Sequence, residues 1–358
     1  FLKAKNRSTG SILNNYISDS LLNWSNLRNL DFDQSNTELK KLDERFKNFK
    51  KIQNIFLNCF FNTSNTENLF MQITNDKRTD FSRYNFFYAS YLSSLGKLGE
   101  AKNHVKSALV TYPRNLLLNQ YNLDLKDKKN VIKFDCKKEQ HVIAEILYIT
   151  SNALSSQLIY SLSNFYLNLS KFLNEELVSY DTLLAENYFK TENFEEAKKI
   201  YYHLSKEGEA FKWYTSKQLA KIYLKEENQD KAIKVVSDTY KGFINKNIYD
   251  DFDYAEFLKN NEKFKESILY YSKIIKIIKK DHPLYAEVTD GRGVAYERTG
   301  EWDKAEKDLL ASLKADPDQA YVINYLAYSW IEQGIKIEKS LSMLEKANEL
   351  KSNDPYII

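Results

Sequence analysis

Glycine and proline are scarce in this chain, 9 and 4 in 358 residues, where average usage supplies roughly 40. A many-turned β fold needs far more of both, so the shortage leaves helices joined by short connections. Charge of one sign is lacking too. Lysine and arginine number 52 against 49 aspartates and glutamates, a formal net charge of +3, too small a surplus to mark a nucleic-acid or anionic-membrane footprint. Cysteine is down to Cys59 and Cys136. With no CxxC pair, neither a zinc site nor a disulfide framework is signalled. The two can still pair, but buried thiols are the expectation. No run of 18 apolar residues occurs, and "NIFLNCFF" and "IAEILYI" are too short to span a bilayer. The sequence starts at Phe1 without methionine and stops at "NDPYII", so both ends read as cut. The compartment stays open between cytoplasm and, had an export signal preceded Phe1, periplasm.

Motifs for chemistry are missing as well. His104, His141, His203 and His282 stand singly, so no HxxxH or HExxH pattern sets two metal ligands on one helical face. "GRGVAY" at 291–296 lacks the third glycine of a phosphate loop and falls inside a helical pattern. No GxSxG elbow, Walker lysine or kinase signature is present. The expectation is therefore no catalytic residue, no metal and no cofactor.

What is present is a periodic small-and-large pattern. In "GRGVAYERTGEWDKAEKDLLASLKADP", Gly293, Tyr296, Gly300, Trp302, Ala305, Leu309, Ser312 and Pro317 fall mostly at steps of three and four, one helical face. Gly300 breaks the face where a left-handed residue can close one helix, and Trp302 restarts it, which predicts a helical hairpin. "ADPDQ" predicts the next helix start, with Asp316 as N-cap, Pro317 first in the helix and Gln319 reaching back. Arg292 falls inside this helical pattern; buried, it needs a carboxylate, or it snorkels outward.

The pattern recurs. Ser82 begins a unit with Ala89, Gly96, Ala101, Ala108 and Pro113 in register. Val178 begins one with Ala185, Tyr188, Phe194, Ala197 and Tyr201. Trp213 gives Ala220, Tyr223 and Ala232, and Ile248 gives Ala255, Phe264, Ser267 and Tyr271. Starts near 178, 213, 248, 286 and 320 are spaced like one helix–turn–helix unit. These residues resemble the tetratricopeptide repeat, a unit of about 34 residues with small residues at its helix crossings. The closing "NYLAYSWIEQGIKIEKSLSMLEKANELKSNDPYI" is similar to a unit common in bacterial tetratricopeptide proteins, with Ser340 one position late and Pro355 delayed.

The resemblance implies an all-α, right-handed α-solenoid of tandem TPR-like helical hairpins. Its expected organisation is divergent hairpins over 1–81, a repeat over 82–115, an elongated degenerate hairpin within 116–177, and tandem repeats over 178–358 that are truncated at the C-terminal end. The implied function is a scaffold or adaptor that binds peptide or protein segments in a concave groove lined by the first helix of each repeat. Two alternatives are a regulatory or targeting arm of an enzyme, such as a glycosyltransferase, and an exported envelope-assembly factor. Carried onto this sequence, the groove positions are Tyr214, Lys217, Lys221 and Lys225, then Tyr249 and Phe252, then Glu287, Asp290 and Glu297, then Tyr321, Asn324 and Tyr328. Partners would be proteins or peptides, not nucleic acid. A lysine line on one helix also serves as a plain solvated face, and both readings stand. The family's clamp for a C-terminal carboxylate is not expected, because Lys217 fits its pattern but Lys221 and Asp253 do not.

Overall fold

The computed structural model describes residues 12–76, 79–127 and 132–357. All of the regular structure there is helical. The chain divides into two compact units, residues 1–225 and 226–358, and the division falls inside the repeat expected to start at Trp213.

In the first unit the helices are α1 (Ile12–Ser25), α2 (Phe32–Lys40), α3 (Lys47–Phe60), α4 (Thr66–Thr74), α5 (Ser82–Ser94), α6 (Leu98–Thr111), α7 (Leu116–Asp127), α8 (Glu139–Ser156), α9 (Tyr160–Leu173), α10 (Ser179–Lys190), α11 (Phe194–Leu204) and α12 (Glu209–Lys225). The second holds α13 (Gln229–Gly242), α14 (Ile248–Asn260), α15 (Phe264–Ile275), α16 (Tyr285–Arg298), α17 (Trp302–Ala315), α18 (Ala320–Glu332) and α19 (Ile337–Leu350). Local chemistry fixes several ends. Asp31 with Gln34, and Asn247 with Asp250, form reciprocal capping boxes at the starts of α2 and α14. Gly300 adopts φ +80° between α16 and α17, as its position in the pattern predicts. Glu192, Glu227 and Glu262 take the same left-handed turn conformation without glycine.

Helix crossings are as tight as the small residues require. Ala185, Ala220, Ala232, Ala255 and Ala305 are all buried. A methyl group added at Gly293 would lie 2.9 Å from Leu309 Cγ and 3.3 Å from the Ala305 carbonyl oxygen, so α16 and α17 meet backbone to backbone. Arg292 has its carboxylate. The guanidinium donates to Asp308 through Nε (2.6 Å) and Nη2 (2.9 Å), and Nη1 donates to Ser272 Oγ at 3.0 Å. The snorkelling alternative is set aside by this paired geometry.

Two expectations need correction. Cys59 and Cys136 are buried, as expected, but bonded to each other as a disulfide, with Cα atoms 5.9 Å apart. The second correction concerns α18, which starts at Ala320 rather than Pro317. Asp316 instead ends α17, and Gln319 Nε2 donates to the Asp316 and Ser312 carbonyls. Within 116–177, α7 precedes the α8–α9 hairpin.

The first unit also departs from neighbour-to-neighbour stacking. α1 and α3 pack against α8, and α7 packs against α12. Long-range polar ties accompany these contacts. Gln53, 1% exposed, accepts from Trp24 Nε1 (2.9 Å) and donates to the Tyr16 hydroxyl (2.6 Å) and to Ser20 Oγ (2.9 Å). Arg83 on α5 forks onto Glu145 of α8 at 2.8 Å through both Nε and Nη2, and Nη1 reaches Ser179 Oγ at 3.2 Å. Tyr148 lies 4.0 Å under its guanidinium. The second unit keeps the serial pattern, with α14 on α15, α15 on α16, α16 on α17 and α18 on α19.

Candidate functional site

The residues expected to line a groove fall on the first helices of successive hairpins: α12 in the first unit and α14, α16 and α18 in the second. On α12 a step of four keeps Lys217, Lys221 and Lys225 on one face. Lys221 and Lys225 are exposed, while Lys217 is half-buried with its ammonium 5.0 Å from the Trp213 ring. Tyr214 is more enclosed. Its hydroxyl donates to Glu186 at 2.6 Å, and its ring meets Tyr201 edge-on. Burial, then the Glu186 charge, pushes this phenol well above its ordinary range. Tyr214 thus fixes α12 to α10 and α11 and places the lysine line.

In the second unit Phe252 is a core residue. At 6% exposure it packs with Ala255, Tyr271, Ile274 and Val288, because its position on α14 turns inward toward α15. It does not line an open surface. Tyr249 beside it is only partly buried.

Of the acidic positions, Glu287 and Asp290 are neighbours. Glu287 is exposed and Asp290 half-buried on α16. Burial raises the Asp290 carboxyl to about 6, with Lys259 opposing the rise and Glu256 and Glu287 adding to it. Glu256 is held by Lys259 Nζ at 2.9 Å and accepts a short hydrogen bond from the Tyr271 hydroxyl. Glu297 accepts from the Tyr325 hydroxyl at 2.7 Å and lies 3.5 Å from Arg298.

A folded-state value above the unfolded 3.8 means that Asp290 favours folding at low pH. That contribution is complete below about 3.8 and is lost as pH rises through about 6. Asp290→Asn should therefore stabilise the protein by about 1–3 kcal/mol at pH 7.5, with the gain shrinking toward pH 5. Urea melts of both proteins at the two pH values check this; a gain independent of pH would show that Asp290 does not titrate in that window.

On α18, Tyr321 and Tyr328 are 49% and 45% exposed. The Tyr321 hydroxyl donates to Asp354 at 2.7 Å, Lys351 lies 4.1 Å over its ring, and Asn324 Nδ2 donates to the Tyr356 carbonyl at 3.2 Å. Residues 351–356 therefore rest on one end of the α18 face, with Ile357 buried against Ala320, Ile323 and Ala347. Sequence reasoning missed these contacts, since "NDPYII" reads as another helix start and carries no signal of a return to α18.

No protein-family model matches this chain, and no curated protein matches it. Solved structures do. The chain is similar to a MamA double mutant at 12% identity, over 49% of this chain and 94% of that one, with a TM-score of 0.40. It is similar to YrrB, titled a TPR protein with an unusual peptide-binding site, at 16% identity over 60% and 89%, with a TM-score of 0.29. A third likeness is to the Cut9–Hcn1 hetero-tetramer of the APC/C, at 14% identity over 93% and 72%, with a TM-score of 0.43. Within each unit the described residues form successive helical hairpins.

Proposed function

We propose that this chain is a protein-interaction scaffold whose first-helix faces bind segments of other proteins, with no catalytic step of its own. The observation that carries this reading is the exposure of charged and aromatic side chains on first helices of the hairpins, taken within each unit. Lys221 and Lys225 stand out on α12, Glu287 on α16, and Tyr321 and Tyr328 on α18. Side chains held on rigid, packed helices need little ordering on binding, so the partner bears most of the entropic cost. On α12 the lysine line suits an acidic segment. On α16 and α18 the aromatic and acidic positions suit a mixed or basic one.

Exposed charge pairs are each worth only about 0.2–1 kcal/mol, so a double reversal is the useful test. Lys221→Glu/Lys225→Glu should weaken binding of a fluorescein-labelled Glu/Leu dodecapeptide several-fold at low salt. The same change at Lys307 and Lys314, which are exposed on the second helix α17, should not. The difference should fade at high salt. Equal binding by both variants would remove the α12 lysines from the binding surface.

A further inference from the structure

Helix α9 is built inside out. The face it turns to the core carries Ser163, Leu167 and Ser170, all at 0% exposure. The face it turns outward carries Leu162 at 40%, Phe165 at 57%, Leu169 at 37% and Phe172 at 77%. Steps of three and four put these four on one narrow ridge. Leu158 extends the ridge from the preceding turn: it is 72% exposed and adopts φ +64°. A leucine there carries backbone strain that a glycine would avoid. Single exposed leucines are ordinary, but an aligned apolar ridge of this length marks an interaction surface.

The ridge runs into a cavity of about 720 Å³ that Phe172 also lines. Its two lysines are already held: Lys133 lies 3.5 Å from the buried Asp124, and Lys171 is paired with the buried Asp181. The remaining lining includes Glu175, Glu176 and Glu207, so the balance is acidic. The C-terminal ends of α9 and α11 add partial negative charge at the same place. Asn174, 2% exposed, also lines the cavity. Its amide nitrogen donates to the Lys133 carbonyl at 3.2 Å, while its Oδ1 accepts no hydrogen bond. Such a site suits a cation with N–H groups to donate.

We propose that the outer face of α9 docks an amphipathic helix of a partner protein, whose apolar ridge lies along Leu162, Phe165, Leu169 and Phe172. A lysine or arginine about one turn beyond its last apolar anchor enters the acidic cavity. Ridge-on-ridge helix packing supplies affinity, and the buried charge sets register and direction. This surface lies on the second helix of its hairpin, not on a first helix.

The test uses a labelled 18-residue synthetic peptide of helical pattern, with leucine at positions 1, 4, 8 and 11 and lysine at 14 and 15, and a twin with glutamate at 14 and 15. Fluorescence polarisation on the whole chain should show the lysine peptide binding at least tenfold more tightly than its twin. Phe165→Ser/Phe172→Ser should weaken it at least tenfold, and Glu175→Gln/Glu207→Gln should weaken the lysine peptide but not the twin. Lys221→Glu/Lys225→Glu on α12 should leave its binding unchanged, which separates this surface from the α12 face. Equal affinity for the two peptides, or parent-like binding by both ridge and cavity variants, overturns the proposal. So does sedimentation showing a parent dimer that Phe165→Ser/Phe172→Ser converts to monomer, because a second copy would then be the occupant.

Discussion

Glu145→Ala should destabilise the first unit by about 3–5 kcal/mol, the range for removing one partner of a buried ion pair. Glu145 is fully buried and accepts two hydrogen bonds at 2.8 Å from Arg83 and a longer one at 3.5 Å from the Tyr84 hydroxyl. Burial pushes its carboxyl upward and Arg83 pulls it back, so the carboxylate depends on Arg83 for its charge. Without Glu145 the guanidinium would sit against Tyr148 and Phe87, with Ser179 as its remaining hydrogen-bond partner among the contacts described above. Replacing both, as Arg83→Met/Glu145→Leu, should recover most of the loss, since a well-packed apolar pair removes the desolvation penalty. Equilibrium urea unfolding followed by circular dichroism measures both. A single variant within about 1 kcal/mol of the parent, well short of that range, would show that the pair contributes little.

The second large effect concerns the Cys59–Cys136 disulfide. It joins α3 to the segment just before α8 across a sequence separation of 77 residues. Closing a loop of that length in the unfolded chain is worth about 4.5 kcal/mol in the chain-entropy model, and disulfides typically deliver about 2–4 kcal/mol. Cys59→Ala/Cys136→Ala should therefore melt well below the parent in the absence of reductant. Adding a phosphine reductant should bring the parent down toward the variant and leave the variant unmoved. Coincident melts of parent and variant under oxidising conditions would show that the bond adds no stability. Intact-mass comparison with and without reductant reports whether it is formed.

Both effects sit where the sequence was least readable. Repeats with small residues at fixed steps, Gly293 against Ala305 and Leu309, or Ala185, Ala220 and Ala255, announce hairpins directly. The physical reason is local: a helix can approach another only where a side chain is small, and a turn closes only where a residue tolerates left-handed angles. The same locality made the lysine line on α12 legible, since i, i+4 spacing places it without reference to any other helix. Phe252 shows the limit, because its repeat position places it on a first-helix face while the packing against α15 buries it.

The sequence by itself therefore determined that the repeats from Ser82 to Asn115 and from Val178 onward are helical hairpins with small residues at their crossings. It could not decide what lies far apart in the chain. That Cys59 meets Cys136, that Arg83 meets Glu145, and that α1 and α3 cover α8 depend on how successive hairpins turn upon one another, the sum of many small rotations that no single window of residues encodes. The outward ridge of α9 is the clearest case. Its apolar spacing reads as an ordinary core face, and only the tertiary structure shows that Ser163, Leu167 and Ser170 take the core while Leu162, Phe165, Leu169 and Phe172 are left to solvent. The choice between two faces of a helix is made by which neighbours it packs against, and those neighbours are assembled from the whole first unit.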